Sequence, residues 1–244
     1  MLRNATNLLT KWNARKNRKP LIVWGARQVG KTYLVKDIFA EEYYSNAYIY
    51  IDFKIEDEIR DFCDHTANAE KIIEYISLYK GKDINKNILL IFDEIQECPN
   101  IISSLKYFCQ DFREIPIIAT GSMVRIRLQR ELTRNGSTQK FMFPVGKIEQ
   151  LTIYPLSFDE FLLNSNEKLF NVTKKAYESR TPLNSSIHEL VLNEFYKYLL
   201  IGGMPEAVNT YFESNSFLES RRVLKDLYDN YLSDLSLIHI SEPT

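Results

Sequence analysis

The sequence predicts an α/β fold: a parallel sheet covered by helices, followed by a helical second domain. Three observations carry that prediction. Leu21–Trp24 is a short apolar run that leads directly into Gly25-Ala-Arg-Gln-Val-Gly30-Lys31-Thr32, the pattern of a strand feeding a glycine turn and a helix. Ile88–Phe92 is a second continuous apolar run, ending in Asp93-Glu94, as expected of a central parallel strand covered on both faces. Past about Leu163 the strand signals stop and helical spacing takes over.

Length and composition bound the rest. A chain of 244 residues holds one large α/β domain, or one domain plus part of a second. A hydrophobic content of 45% is enough for a packed core, and a net charge of −1 carries no global signature of nucleic acid or an anionic membrane as partner. No apolar run approaches the roughly 20 residues that span a bilayer, and polar residues interrupt MLRNATNLLTKW too often for a signal segment. Cys63, Cys98 and Cys109 show no CxxC pairing, which points to reduced thiols in a cytoplasmic protein. Cys98 is read as a small apolar filler. His65, His188 and His239 offer no zinc spacing.

Residues 4–17 read as a helix with Leu8, Leu9 and Trp12 on one face, and Lys11, Arg15, Lys16, Arg18 and Lys19 form a solvated surface. After the first strand, the glycine loop fits G-x-x-x-x-G-K-[ST] at every fixed position. Its glycines let successive N–H groups converge on one anion, and the helix opening at Lys31 adds the positive end of its dipole. Gly25, Ala26, Arg27, Gln28, Val29, Gly30, Lys31, Thr32 and Tyr33 are therefore the predicted nucleotide-binding residues. Lys31 is assigned to the β- and γ-phosphates and Thr32 to Mg²⁺.

Leu34, Val35, Ile38 and Phe39 recur at helical spacing and predict a helix packed on the sheet. Ala47–Asp52 reads as the next strand. The acidic stretch Glu56–Asp64 reads as an exposed approach to a helix marked by Ile72, Ile73, Ile76 and Tyr79. At the end of the run Ile88–Phe92, paired carboxylates are unfavourable unless solvated or bound to a cation. That assigns Asp93 to the Mg²⁺ shell and Glu94 to activation of an attacking water. The bland alternative is an ordinary exposed acidic turn.

Ile101, Ile102, Leu105, Phe108, Cys109 and Phe112 form a helical stripe, and Ile115–Ala119 reads as a strand leading into Thr120-Gly121-Ser122. A hydroxyl from Thr120 or Ser122 at that strand tip lies beside the carboxylates and can sense a γ-phosphate, although both residues also suit a plain turn. Met123–Lys147 carries Arg125, Arg127, Arg130, Arg134, Lys140 and Lys147 against a single acid, Glu131. Three readings stay open for it: a nucleotide contact, a nucleic-acid backbone contact, and a solvated charged loop. Thr152–Pro155 is read as leaving the sheet. Ser157 and Glu160 have capping-box spacing and start a helix. Ile187, Leu190, Val191, Phe195, Tyr198 and Leu199 make one stripe, stopped by Gly202-Gly203, and Pro205 opens the next element. Leu224, Leu227, Tyr228 and Tyr231 mark a final helix.

LIVWGARQVGKT, LLIFDEIQECP, IIATGS and YPLSFDEF, in this order across residues 21–161, resemble prokaryotic AAA-type ATPases (AAA+ superfamily) that carry a C-terminal domain, in some relatives nuclease-like. The resemblance implies a P-loop fold with an extra strand between the loop strand and the Asp-Glu strand. It further implies Mg²⁺-dependent ATP binding and hydrolysis coupled to a C-terminal effector. An ATP-dependent switch with little turnover and a DNA-associated ATPase module are the alternatives, with a homo-oligomer or a protein as partner. A small-molecule kinase shares the loop, but Glu94 is placed for water and no acceptor lid follows. Relatives commonly show Gly-Arg where this chain has Gly146-Lys147, and lysine keeps the charge without the bidentate fork. The domains expected are an ATPase domain over 1–162 and the start of a helical domain over 163–234. Residues 235–244, LSLIHISEPT, resemble a translated sequencing adapter, which implies a longer natural chain.

Overall fold

The computed structural model describes residues 1–122 and 144–239. The chain divides into two compact units, Ala5–Ile153 and Met1–Asn4 together with the residues from Tyr154 onward.

In the first unit α1 (Asn4–Asn13) precedes β1 (Leu21–Gly25). The helix buries Leu9 and Trp12 but leaves Leu8 49% exposed, and it stops short of the expected residue 17. The chain turns there because the Trp12 indole N–H donates to the Lys19 carbonyl at 2.9 Å, with the Arg18 guanidinium stacked over the ring. After the glycine loop comes α2 (Tyr33–Ala40), wound as a π-helix and continued by an α-helical turn, Glu41–Tyr44. β2 (Tyr48–Asp52), α3 (Asp57–Asp64), α4 (Ala69–Lys80), β3 (Leu89–Asp93), α5 (Pro99–Asp111), β4 (Ile117–Gly121) and β5 (Glu149–Ile153) follow.

The five strands form one parallel sheet in the order β2-β3-β4-β1-β5, which puts β4 between the loop strand and the Asp-Glu strand. This is the α/β P-loop arrangement. Every residue of β3 and β4 is buried, whereas the edge strand β2 buries Ile49 and Ile51 and turns Tyr48, Tyr50 and Asp52 to a wetter face. Trp24, Phe53, Phe92 and Phe108 fill the core between sheet and helices. Local chemistry sets the helix ends. Asn68 caps α4 by accepting the Lys71 N–H at 3.1 Å, and Gly81 ends it in the left-handed region.

Two stretches differ from the sequence reading. Glu56–Asp64 is not an exposed approach: most of it is α3, which buries Ile59 and Cys63 beneath its acidic face. Thr152 does not leave the sheet. It pairs with Trp24 in β5, an edge strand whose Glu149, Gln150 and Thr152 disguise it as a polar connection.

The second unit is helical: α6 (Phe158–Ser165), α7 (Glu167–Ser179), α8 (Ser185–Ile201), α9 (Pro205–Ser214) and α10 (Phe217–His239). Ser157 and Glu160 form a complete capping box, and Asn166 and Asn184 cap α7 and α8. Glu160 is buried and also accepts the Asn4 N–H at 2.7 Å, fastening the N-terminus to α6. Gly202 ends α8, and Gly203 lies against the Leu156 backbone so closely that no side chain fits. Phe161, Ile201, Val208 and Tyr211 make the small core. Among the described residues no helix is long and apolar enough to cross a membrane.

Candidate active site

The carboxyl ends of β1, β3 and β4 lie side by side, which is where open parallel sheets place their ligands. At the end of β1, a Cβ on Gly25 would meet the Ile153 carbonyl oxygen at 2.6 Å and Val29 Cγ2 at 2.9 Å, so the position takes no side chain. Gln28 and Gly30 enter the left-handed region, at φ 60° and 84°. Such residues turn successive N–H groups to one side of a loop, the backbone form of an anion-binding concavity. Val29 is buried behind the loop, Ala26 and Gln28 are exposed, and Gly25, Arg27 and Gly30 are half-buried. Tyr33 is 52% exposed.

Lys31 is buried, and its ammonium donates to the Gly25 and Ala26 carbonyls at 3.2 and 2.8 Å. Burial pulls the ammonium below the usual lysine range, Glu94 and Asp93 oppose that, and Arg27 adds to it. A lysine folded onto its own loop carries charge to the point where an anion would rest on the backbone.

Asp93 is the centre of the arrangement. It is buried, and a buried carboxylate requires donors. Among the described residues, four groups donate to it. The Thr32 and Tyr50 hydroxyls reach Oδ2 at 2.7 and 2.8 Å, and the Thr120 hydroxyl and the Glu94 N–H, the latter at 2.9 Å, reach Oδ1. The glycine loop's helix, β2, β3 and β4 therefore meet on one side chain. Burial, with Asp93 as the next cause, pushes the Tyr50 phenol far above its ordinary range, so it remains a donor. Burial likewise pushes up the carboxyl of Asp52, which pairs with Asp93 in the strand register, against the lowering by the Lys54 N–H it accepts.

Glu94 follows in the left-handed conformation, φ 52° and ψ 44°, between β3 and the tight turn Ile95–Glu97. Ser122 is buried just past β4. The structure thus brings Lys31, Thr32, Asp93, Glu94, Thr120 and Ser122 to one edge of the sheet. Tyr50 is the member that sequence reasoning missed, since its only signal is the alternation of AYIYID, which fixes its face but not its partner. Arg125, Arg127, Arg130, Arg134 and Lys140 lie outside the described residues. Lys147 sits in a turn, with its N–H donating to the Pro144 carbonyl at 3.1 Å.

These residues fit a phosphate chain with its cation. Hydroxyl and carboxylate oxygens meet at Thr32 and Asp93, beside a buried lysine and a glycine-shaped loop. Among the described residues no group of three or more His, Cys, Asp or Glu is arranged to hold a metal. A hard cation held by Thr32 and Asp93 would complete its shell with phosphate and water oxygens, as Mg²⁺ commonly does.

A family model described as an AAA domain matches residues 17–162. No curated protein matches the chain. Among solved structures, the Walker-type ATPase PABY2304 of Pyrococcus abyssi is similar at a TM-score of 0.53 and 16% identity, over 95% of this chain and 74% of that one. DnaA from Aquifex aeolicus, bound to AMPPCP, gives a TM-score of 0.42 at 15% identity, over 94% and 65%. Drosophila ORC bound to DNA gives 0.43 at 13% identity, over 91% and 60%. The chain thus spans less than two thirds of the length of the last two.

Proposed function

The chain belongs to the AAA domain family of P-loop ATPases, and from that premise we propose that it binds ATP with Mg²⁺ and hydrolyses it, in the cytoplasm. The observation that carries the proposal is the convergence of Thr32, Tyr50 and Thr120 on Asp93, with Glu94 turned out of the strand beside them. Residues 25–33 hold the triphosphate. Lys31 leaves its loop carbonyls for the β- and γ-phosphates, gaining a charge-assisted partner. Thr32 and Asp93 hold Mg²⁺, which when bound offsets phosphate charge. Glu94 takes a proton from the attacking water. Thr120 and Ser122 mark the strand tip that feels the γ-phosphate, Thr120 by sharing its hydroxyl with Asp93. We assign residues 1–162 to the ATPase domain, which takes in Met1–Asn4 and residues 154–162 beyond the compact unit Ala5–Ile153, and residues 163–234 to the start of the helical effector that hydrolysis drives.

Phosphoryl transfer needs little covalent help, so positioning and charge decide the rate. A carboxylate acting as general base contributes roughly 10²–10⁴-fold. Glu94→Gln keeps size and polarity without basicity. It is expected to bind ATP at least as well as wild type and to release phosphate slower by about that factor. Asp93→Asn is expected to weaken Mg²⁺-dependent binding as well as turnover, and Lys31→Ala to abolish binding with the fold intact. Equal phosphate release by wild type and Glu94→Gln means that Glu94 is not the base, and the reading as a nucleotide-dependent switch moves ahead. Equal ATP affinity of wild type and Lys31→Ala, by calorimetry, removes the phosphate-loop assignment.

A further inference from the structure

We infer that Gln96 is a positioning residue that fixes the Glu94 carboxylate and ties it to the tip of β4. The inference rests on the reading of Glu94 as the base. Gln96 belongs to neither the phosphate loop nor the group that surrounds Asp93, yet it is a polar side chain only 1% exposed. Its two ends are both engaged. Its Nε2 donates to Glu94 Oε2, and its Oε1 accepts the Ser122 N–H at 3.2 Å.

The amide suits this place for a chemical reason. A carboxylate only accepts and a backbone N–H only donates, so the side chain between them must donate at one end and accept at the other. Glutamine does both in one rigid planar group. Leucine or methionine does neither, and glutamate presents acceptors to Glu94 as well. The backbone is shaped around the contact. Glu94 takes a left-handed conformation, and the turn after it, closed by Glu97 N–H to the Glu94 carbonyl at 2.9 Å, brings the side chain of residue 96 back beside residue 94. From the other side, a Cβ on Gly121 would stand 3.0 Å from Gln96 Oε1 and 2.9 Å from Ile95 Cγ1. The β4 tip thus gives Gln96 its room by lacking a side chain.

The consequence is mechanical. One oxygen of Glu94 is held by Gln96, which orients the carboxylate and leaves Oε1 to accept a proton from water. Through Ser122 the same amide connects Glu94 to the strand carrying Thr120, whose hydroxyl is on Asp93. A shift of the β4 tip is therefore passed to the base. Gln96 touches no reacting atom itself.

The test is steady-state phosphate release and, separately, ATP affinity by calorimetry on the full chain, for wild type, Gln96→Met, Gln96→Glu, Gly121→Ala and Glu94→Gln. Loss of a hydrogen bond to a charged group corresponds to about 10- to 100-fold. Gln96→Met and Gln96→Glu are each expected to lower kcat by that factor while KM and ATP affinity stay within about twofold. Gly121→Ala, which leaves Gln96 chemically intact, is expected to show the same split. Thermal melts separate misfolding from this pattern, because a variant that folds poorly loses affinity and kcat together. If Glu94→Gln is inactive but Gln96→Met and Gly121→Ala turn over like wild type, the positioning role is wrong and the Glu94 reading stands. If wild type and Glu94→Gln turn over equally, both fall.

Discussion

In the unit Ala5–Ile153 the two central strands bury every residue, whereas in the helical unit α8 buries one of its 17, Ile201. Both stretches read as strongly apolar in the sequence. The difference lies in what covers them. A central parallel strand has helices on both faces and neighbours on both edges, so its side chains have nowhere else to go. An amphipathic helix buries its stripe only where another element packs on it. Leu190 and Leu199 of α8 are 56% and 60% exposed, although both belong to the stripe that the periodicity picks out. Polar groups divide the same way. Around Asp93 they are buried or half-buried and mutually bonded, while in the helical unit most cap helix ends, with Glu160 and Ser220 the buried exceptions among the described residues.

The largest effect should fall on the sheet core. Phe92 is fully buried, with its ring centroid 5.8 Å from that of Phe53 and 6.1 Å from that of Phe108. Phe92→Ala is expected to cost about 3–5 kcal/mol in denaturant unfolding, because the aromatic layer around it cannot collapse into the cavity. A cost below about 1 kcal/mol would mean that this core is no better covered than α8.

Next in size is the polar cluster. Tyr50→Phe removes one of the hydroxyls on Asp93 and keeps the ring under Lys36, 4.5 Å from its centroid. Loss of a hydrogen bond to a carboxylate is expected to cost about 1.5 kcal/mol near neutral pH. The phenol's folded value is raised, so its stabilisation is fully present below 10.0, the ordinary tyrosine value, and fades as pH rises above it, where the unfolded chain gives up the proton first. The gap between wild type and Tyr50→Phe should therefore narrow in melts above that pH. A gap that stays constant would show that the phenol is not held as a donor.

Caps in the helical unit come after that. Ser157→Ala removes the oxygen that accepts the Glu160 N–H at 3.3 Å and is expected to cost about 1 kcal/mol. Glu160 adds a second dependence, since it also holds the N-terminal residues Arg3 and Asn4. Glu160→Ala should thus exceed Ser157→Ala, and equal costs would show that the N-terminal fastening contributes nothing.

What the sequence made legible was short-range. The glycine loop, the two apolar strand runs, the capping box and the glycine stop after α8 each depend on residues a few positions apart, and each stands where its pattern put it. The parallel order with β4 beside β1 came with the family resemblance. Other features depended on distant partners. β5 was missed because an edge strand needs one apolar face only, and its polar face looks like a connection. Within α3, Ile59 and Cys63 were hidden among acids at a spacing of one turn. Tyr50 and Gln96 were in view, but a hydroxyl three strands from the loop strand and an amide two residues past the carboxylate acquire roles only through register and turn geometry.

The smallest effect sharpens the comparison most, because it measures cover directly. Leu199 lies on α8 two residues before the buried Ile201, and Leu200 beside it is 68% exposed. An exposed apolar side chain has gained little from folding, so removing it returns little, and surface substitutions of this kind fall within about 0.5 kcal/mol. Leu199→Ser is therefore expected to leave the melting temperature nearly unchanged. Ile201→Ser, two positions away on the same helix, is expected to cost several-fold more, because that side chain packs with Phe161, Val208 and Tyr211 and a hydroxyl there would be buried without a partner. Serine at both positions controls for helix propensity, so the two costs differ through burial alone. If Leu199→Ser costs as much as Ile201→Ser, the exposed face of α8 is covered in solution, and the contrast between the two units lies in the partner and not in the helices.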